Sequence, residues 1–187
     1  MKVINEGTFN SFCPQTLFLC GTYKENGEPN FGLFCRLTYC SDGGQKILAC
    51  IGGEKLTKER IRETGVFSAN LVTKELLEVA DYLGNKEGYD TDKMKNFPLS
   101  VSRGTALDVP LLDASPRSFE LKVDKSIKLD DSEIFICSIA NNWIAEELTD
   151  DSVGMADKMK MVTPMLSASQ TYFAVGEMLG EWGDWER

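Results

Sequence analysis

The chain reads as a mainly β protein, an antiparallel barrel or sandwich with a few short helices inserted. Three observations lead there. Apolar and polar residues alternate with period two across residues 30–39, with Phe31, Leu33, Cys35, Leu37 and Tyr39 on one side. Turn signals at Asn26-Gly27, Asp42-Gly43-Gly44 and Asp130-Asp131 separate apolar runs by connections too short for a crossover helix. No Gly-x-Gly-x-x-Gly follows a strand, which disfavours a doubly wound dinucleotide fold.

Residues 16–23 (TLFLCGTY) form a strand buried over most of its length. Asn26-Gly27 follows as a type I′ turn, since both residue types tolerate positive φ. Residues 30–39 form the next strand. Its second face carries Asn30, Gly32, Phe34, Arg36 and Thr38, and either meets solvent or lies under a polar ligand that Gly32 lets approach. After Asp42-Gly43-Gly44 comes a buried strand at residues 47–52, ending in Gly52-Gly53. Residues 54–65 form a short helix, with Thr57 as N-cap, Glu59 in the first turn and Gly65 as its stop. Residues 66–72 return as a strand. Thr73 caps a second helix that runs to about Leu83, with Leu76, Leu77, Val79, Ala80 and Leu83 on its apolar side and Gly84 ending it.

Residues 85–100 are polar and irregular, with a turn of helix at residues 92–97. Residues 118–127 alternate again, with Phe119, Leu121 and Val123 inward, and residues 133–144 form a long strand. Met155, Met159, Met161 and Met165 serve as packing or interface filler rather than metal ligands. Residues 169–177 hold a Tyr172-Phe173 pair, and residues 181–187 make a surface or dimer-facing tail. No repeat or linker divides the chain, so residues 1–187 are read as a single domain.

Composition removes several function classes. The formal charge is −9, which makes the chain a poor partner for nucleic acid or an anionic membrane. There is no histidine, so Ser-His-Asp and Cys-His nucleophiles and His-containing metal sites are all absent. The six cysteines, at 13, 20, 35, 40, 50 and 137, include no Cys-x-x-Cys pair. The first residues lack the apolar stretch of a secretory signal, and no apolar run approaches the roughly 18 residues of a membrane span. A reducing cytoplasm with free thiols is therefore expected.

One local feature opposes the global charge. Lys55, Lys58, Arg60 and Arg62 surround the start of the first helix. Free backbone N–H groups, the positive end of the helix dipole, the Thr57 hydroxyl and these lysines together suit a phosphate. An ordinary capped surface helix is the alternative. If the strand after the Asn26-Gly27 turn pairs with the one ending at Gly52, Asn30, Arg36 and Thr38 fall near that anion site. The combination suits a phosphorylated planar cofactor lying along a strand edge.

The order of short motifs adds to this reading. It runs Pro14, Cys20-Gly21-Thr22, Asn26-Gly27-x-Pro29-Asn30, then Lys55-Leu56-Thr57-x-x-x-Ile61-x-x-Thr64-Gly65-x-Phe67-x-x-Asn70. Ala80-Asp81-x-x-Gly84, Asp92-Lys93-Met94, Pro110-Leu111-Leu112 and Tyr172 with Gly176-Glu177 continue it. The chain resembles the flavin reductase-like, FMN-binding split-barrel family, which includes flavoredoxins, from about Pro14 to Gly180. The resemblance implies a homodimeric antiparallel split β-barrel that binds FMN non-covalently near the subunit interface. It implies hydride or electron transfer between NADH or NADPH and a flavin or a further acceptor, either a small molecule or a redox protein.

By motif position, the resemblance puts Asn30 on the flavin or its ribityl chain. Arg36, Leu37 and Thr38 border the isoalloxazine, flanked by Cys35 and by Cys50, Ile51 and Gly52 on the neighbouring strand. Lys55 and Thr57 hold the phosphate. Lys93 faces ring or phosphate, and Tyr172 lies near the ring, from either subunit. No catalytic side chain follows from it. The sequence departs from the family's pattern at Arg36, where many members carry an aromatic residue. It departs again at Lys55 and at Asn141-Asn142-Trp143, where histidine is frequent. Three alternatives stay open: a flavoredoxin-type carrier without its own nicotinamide site, a non-catalytic β-barrel binding module, and a cysteine redox sensor built on Cys35 and Cys50.

Overall fold

The computed structural model describes residues 13–86, 88–89, 93–97 and 99–184. Asp92 of the expected loop motif, the beginning of the chain and the last three residues of the tail lie outside the described residues. The elements in chain order are β1 (Gln15–Thr16), β2 (Phe18–Tyr23), β3 (Pro29–Phe34), β4 (Leu37–Ser41), β5 (Gln45–Gly52), α1 (Leu56–Thr64), β6 (Val66–Leu71) and α2 (Leu77–Asn85). Then come β7 (Val101–Arg103), β8 (Pro110–Leu112), β9 (Arg117–Lys128), β10 (Ser132–Ile144), α3 (Met155–Val162), β11 (Met165–Ala168) and β12 (Thr171–Ala174).

The main sheet has seven antiparallel strands in the order β3-β2-β6-β9-β10-β5-β4. Its two edges, β3 and β4, are consecutive in the chain and are joined by Cys35 and Arg36 alone. Three Cα steps reach at most roughly 11 Å. The sheet must therefore curl until its edges nearly touch, which makes a barrel split between β3 and β4. The expected antiparallel split barrel with short inserted helices is what the chain forms.

Two apolar clusters sit on either side of the sheet. Ala49, Phe67, Ala69, Phe119, Leu121 and Phe135 fill the barrel. Leu19, Phe31, Val79, Ala80 and Leu83 join α2 to the outer face of β2 and β3. Strand β2 alternates between them, Leu19 outward and Cys20 inward, both fully buried. That double burial explains why residues 16–23 read as almost continuously apolar.

Four local expectations change. The single strand at residues 30–39 is two strands, and its apolar side is not one face. Phe31, Leu33 and Cys35 pack outside against α2, whereas Leu37 points into the barrel and Tyr39 is half exposed. The period survives the break, but the sheet partner changes from β2 to β5, so pairing of β3 with β5 does not occur. The Asn26-Gly27 hairpin is a wider turn. Lys24 N–H bonds Glu28 O, Gly27 N–H bonds Lys24 O, and only Gly27 has positive φ (82°).

Thr57 is not an N-cap, because Lys55 occupies that position without a side-chain cap and Thr57 is buried inside α1. Helix α2 begins at Leu77 rather than after Thr73, whose backbone instead bridges to Pro164. It also runs through Gly84. Gly84 is there for packing: a Cβ at that position would lie 2.7 Å from the Leu33 Cβ. Gly84→Ala is therefore expected to destabilise the fold by about 1–3 kcal/mol despite alanine's better helix propensity. A thermal melt showing no loss would contradict the close approach of α2 to β3. Gly65 does end α1, with φ 71° and its N–H on Ile61 O.

Candidate functional site

Nine of the twelve residues singled out in the sequence line two neighbouring hollows. The first is a narrow cleft at the start of α1. Its lining includes Asn30, Gly32, Lys55, Thr57, Lys86 and Lys93, with no carboxylate among the residues lining it. Strand β3 supplies Asn30, which is fully buried. Its Nδ2 donates to the Thr57 Oγ1 at 2.9 Å and to the Thr22 Oγ1 at 3.4 Å. Thr57 therefore spends its oxygen as an acceptor. Its own hydroxyl hydrogen has no acceptor among the described residues, which leaves it to be donated. Gly32 allows this approach, since a Cβ there would sit 3.0 Å from Thr57 Oγ1.

Asn30 Oδ1 is buried without a hydrogen-bond partner. A Cβ on Gly88 would stand 2.9 Å from it, so the space in front of the amide is open only because residue 88 is glycine. Lys93 is buried. Its ammonium donates to Leu83 O at 2.8 Å and Lys86 O at 3.2 Å, tying the end of α2 to the cleft.

The second hollow, about 410 Å³, lies at the split in the barrel. Cys35, Arg36, Leu37 and Thr38 line one side and Cys50 the other, with Gln15 and Thr16 closing it. Cys50 N–H already donates to Arg36 O at 2.9 Å, which clamps the linker to β5. Strand β4 is an edge strand, so backbone groups on its outer side have no ladder partner among the described residues. The Arg36 guanidinium lies over Gly52, where a Cβ would be 3.7 Å from its Nη1.

Ile51 is different. It is fully buried in the barrel core and lines neither hollow. Tyr172 packs with Cys35 on the outer apolar cluster of its own chain. Its hydroxyl donates to Asp81 Oδ1 at 2.5 Å. Burial, reinforced by that carboxylate, pushes the phenol up to about 12.

Sequence reading missed Gln15, Thr16, Lys86 and Gly88. Gln15 and Thr16 reach the site because β1 pairs with β11, some 150 residues away, which leaves no local signal. Gly88 sits in a stretch whose irregularity hid it.

All six cysteines are free thiols. Burial pushes Cys20 far up and Cys137 to about 12, and it raises Cys35 against the opposing Arg36 charge. A thiol-specific dye is expected to modify Cys13 first and to leave Cys20 and Cys137 untouched until the protein unfolds. Six equivalents reacting at one rate in the native state would contradict this burial. Among the described residues no cluster could hold a metal ion, and no helix is long and apolar enough to cross a membrane.

Comparison with known proteins gives a family. A model described as the flavin reductase like domain matches residues 10–175. Flavoredoxin of Desulfovibrio vulgaris (Miyazaki F) superposes with a TM-score of 0.86 at 27% identity, covering 98% of this chain and 98% of that one. An FMN-binding protein from Thermus thermophilus, solved with bound p-hydroxybenzaldehyde, gives a TM-score of 0.77 at 18% identity, covering 97% of each chain. That second likeness shows the fold alone. An uncharacterized protein of Aeropyrum pernix is 29% identical over 91 residues, which is 48% of this chain and 35% of that protein. The match thus spans about a third of the curated relative.

Proposed function

The chain belongs to the flavin reductase-like family, and on that premise we propose that it is an FMN-binding oxidoreductase that exchanges electrons between NADH or NADPH and a flavin or further acceptor. The observation that carries the flavin is the Asn30–Thr57 pair. It leaves a hydroxyl donor aimed away from the protein's own acceptors, in a lysine-lined cleft without a carboxylate.

The residues present fit a phosphate-bearing group. Lys55, Lys86 and the first amides of α1 supply positive potential, and Thr57 supplies a directed hydrogen bond. Asn30 holds the threonine oxygen so that its hydrogen points to the anion. Gly32 and Gly88 keep side chains out of the cradle. Leu37 and the Cys50 side of β5 offer an apolar border to a ring, while Arg36 and Thr38 provide polar contacts. Bound FMN supplies two-electron exchange, so the protein needs no histidine or metal for the hard step. Tyr172, kept protonated by burial and by Asp81, spends its one hydroxyl hydrogen on that carboxylate and stays neutral through the physiological range.

The test is a visible spectrum of the purified protein with added FMN. Flavin bands near about 375 and 450 nm that shift on binding are expected. A protein whose spectrum and melting temperature ignore FMN is a non-catalytic barrel module instead.

A second reading rests on the likeness to flavoredoxin over 98% of the chain. In it the protein carries electrons without a nicotinamide site, and its −9 charge suits a basic redox partner. Rapid mixing with NADH and NADPH decides: bleaching on the millisecond scale supports the reductase, and none supports the carrier. The working unit is proposed to be a homodimer. Exposed Phe173, Leu179 and Trp182 near the end of the chain support it, and mass by light scattering tests it.

A further inference from the structure

A hollow of about 240 Å³ opens on the inner side of the barrel, at its mouth, walled by Leu37, Ile47, Ala69, Leu71 and Phe119 with Arg117 beside them. Strand pleating sets it apart from the hollow given to the flavin ring. Along β4 and β5, Leu37, Ile47 and Ala49 join the barrel core, whereas Leu48 and Cys50 line the flavin hollow. The two spaces therefore lie on opposite faces of these strands. They meet only at the rim, at Thr16, Leu37 and Thr38, and Arg36 does not line the mouth. No carboxylate is among the residues lining the mouth. Arg60, Arg62 and Arg103 each have a carboxylate partner. Arg117 has none among the described residues, in a chain of net charge −9 that offers acidic side chains in excess. Its half-buried guanidinium is held instead over the Phe119 ring, 5.0 Å from the centroid. Tyr39 meets the same ring edge-on at 6.3 Å. The cation is thus held in place while its N–H donors stay unspent.

We propose that the barrel mouth binds a monocyclic aromatic carboxylate, its ring among Leu37, Ile47, Leu71 and Phe119 and its carboxylate on Arg117. An apolar cavity of roughly 150 Å³ takes up benzene, so the space here holds one ring and its acid group. It falls below the range of about 300–1,000 Å³ usual for larger ligands, which disfavours fused rings with long substituents. The planar fork of an arginine matches a carboxylate with two parallel hydrogen bonds, and those bonds strengthen where the walls exclude water. The ring is held by apolar burial and by the edge or face of Phe119. This site goes beyond the FMN reading and does not rest on it, because it uses the inner face of β4 and β5.

The test titrates benzoate, benzyl alcohol and acetate into flavin-free and FMN-loaded protein, followed by calorimetry. Benzoate is expected to bind about tenfold tighter than benzyl alcohol, which lacks the charge, and than acetate, which lacks the ring. Saturating FMN should leave the benzoate affinity unchanged. Added salt should weaken benzoate and spare benzyl alcohol. Arg117→Gln should cost benzoate about tenfold and leave benzyl alcohol as it was, and Arg117→Lys should restore part of the loss. Arg103→Gln, at an arginine already paired with Asp108, should change nothing.

Equal affinity for benzoate and benzyl alcohol would overturn the proposal, as would the binding of neither. Displacement of benzoate by FMN would overturn it too, since the two would then share one site. So would a dimer that Arg117→Gln turns into a monomer without changing benzoate affinity, because that assigns the arginine to a contact between copies. If the protein takes no FMN, the flavin reading fails by its spectrum, and the titration of the flavin-free protein still decides the barrel mouth.

Discussion

Thr57→Val is expected to weaken FMN binding about ten- to a hundredfold, the range of a lost hydrogen bond to a charged group of about 1.5–3 kcal/mol. Valine matches threonine in shape, so the barrel and the start of α1 remain. What disappears is the hydroxyl whose oxygen accepts from Asn30 Nδ2 at 2.9 Å and whose hydrogen is left for the ligand. Thr57→Ser is expected to keep most of the affinity, because it keeps the hydroxyl on the same helix position. Quenching of FMN fluorescence measures both. The melting temperature without FMN separates a ligand effect from the smaller stability cost of leaving Asn30 Nδ2 with only its long bond to Thr22. A valine variant that binds FMN as the parent does would remove the phosphate from this cleft.

Glu120→Ala is expected to cost about 3–5 kcal/mol, since several buried donors lose their acceptor at about 1–3 kcal/mol each before relaxation. For a domain of this size that lowers the melting temperature by roughly 10 °C. Glu120 is completely buried on β9. Its carboxylate accepts from the backbone N–H groups of Thr105, Ala106 and Leu107 at 3.1, 2.9 and 2.6 Å, from Trp143 Nε1 at 2.8 Å and from Asn141 Nδ2 at 3.2 Å. It pins the loop between β7 and β8 to β10, and an alanine would strand all these donors. Gly104 belongs to the same clasp, since a Cβ there would meet Glu120 Oε2 at 2.6 Å.

The same cluster sets an acid limit. Burial alone would raise the Glu120 pKa, but the bonds from Trp143 and the three amides outweigh it and hold it below the ordinary carboxylate value. A carboxylate whose folded pKa is depressed stabilises the fold above its unfolded pKa of about 4.3, and that stabilisation drains away as pH falls through the lower, folded value. Denaturant melts from pH 7 down to pH 3 are expected to show this loss in the parent and a flatter acid limb in Glu120→Gln. Parallel curves for the two proteins would mean that the carboxylate's charge does not matter.

Glu120 also shows where reading the sequence ends. Alternation put Phe119, Leu121 and Val123 inward and said nothing of where Ser118 and Glu120 go. Both are buried: the loop between β7 and β8 folds over Glu120, and Ser118 donates to Asn70 Oδ1, which also accepts from the β8 amide of Leu112. Periodicity reports that two faces differ, not what later covers them. Residues 30–39 make the same point: the alternation was real, yet Phe31 and Leu37 face different cores.

What the sequence determined by itself is local. Turn residues, period-two runs and the glycine after Thr64 fixed the antiparallel β class and the end of α1. Of the basic cluster at the start of α1, Lys58, Arg60 and Arg62 pair with carboxylates and Lys55 alone of the four lines the cleft, while the ordered motifs carried the family. Only the tertiary structure decided that Cys35 and Arg36 bridge the two edges of the sheet, and that Thr57 pairs with Asn30 instead of capping its helix. The second joins residues 27 positions apart, and the first rests on which strand pairs with which. Local propensity and spacing carry no term for such contacts. They arise when the sheet closes and burial forces every polar group near the seam to find a partner or be left for a ligand.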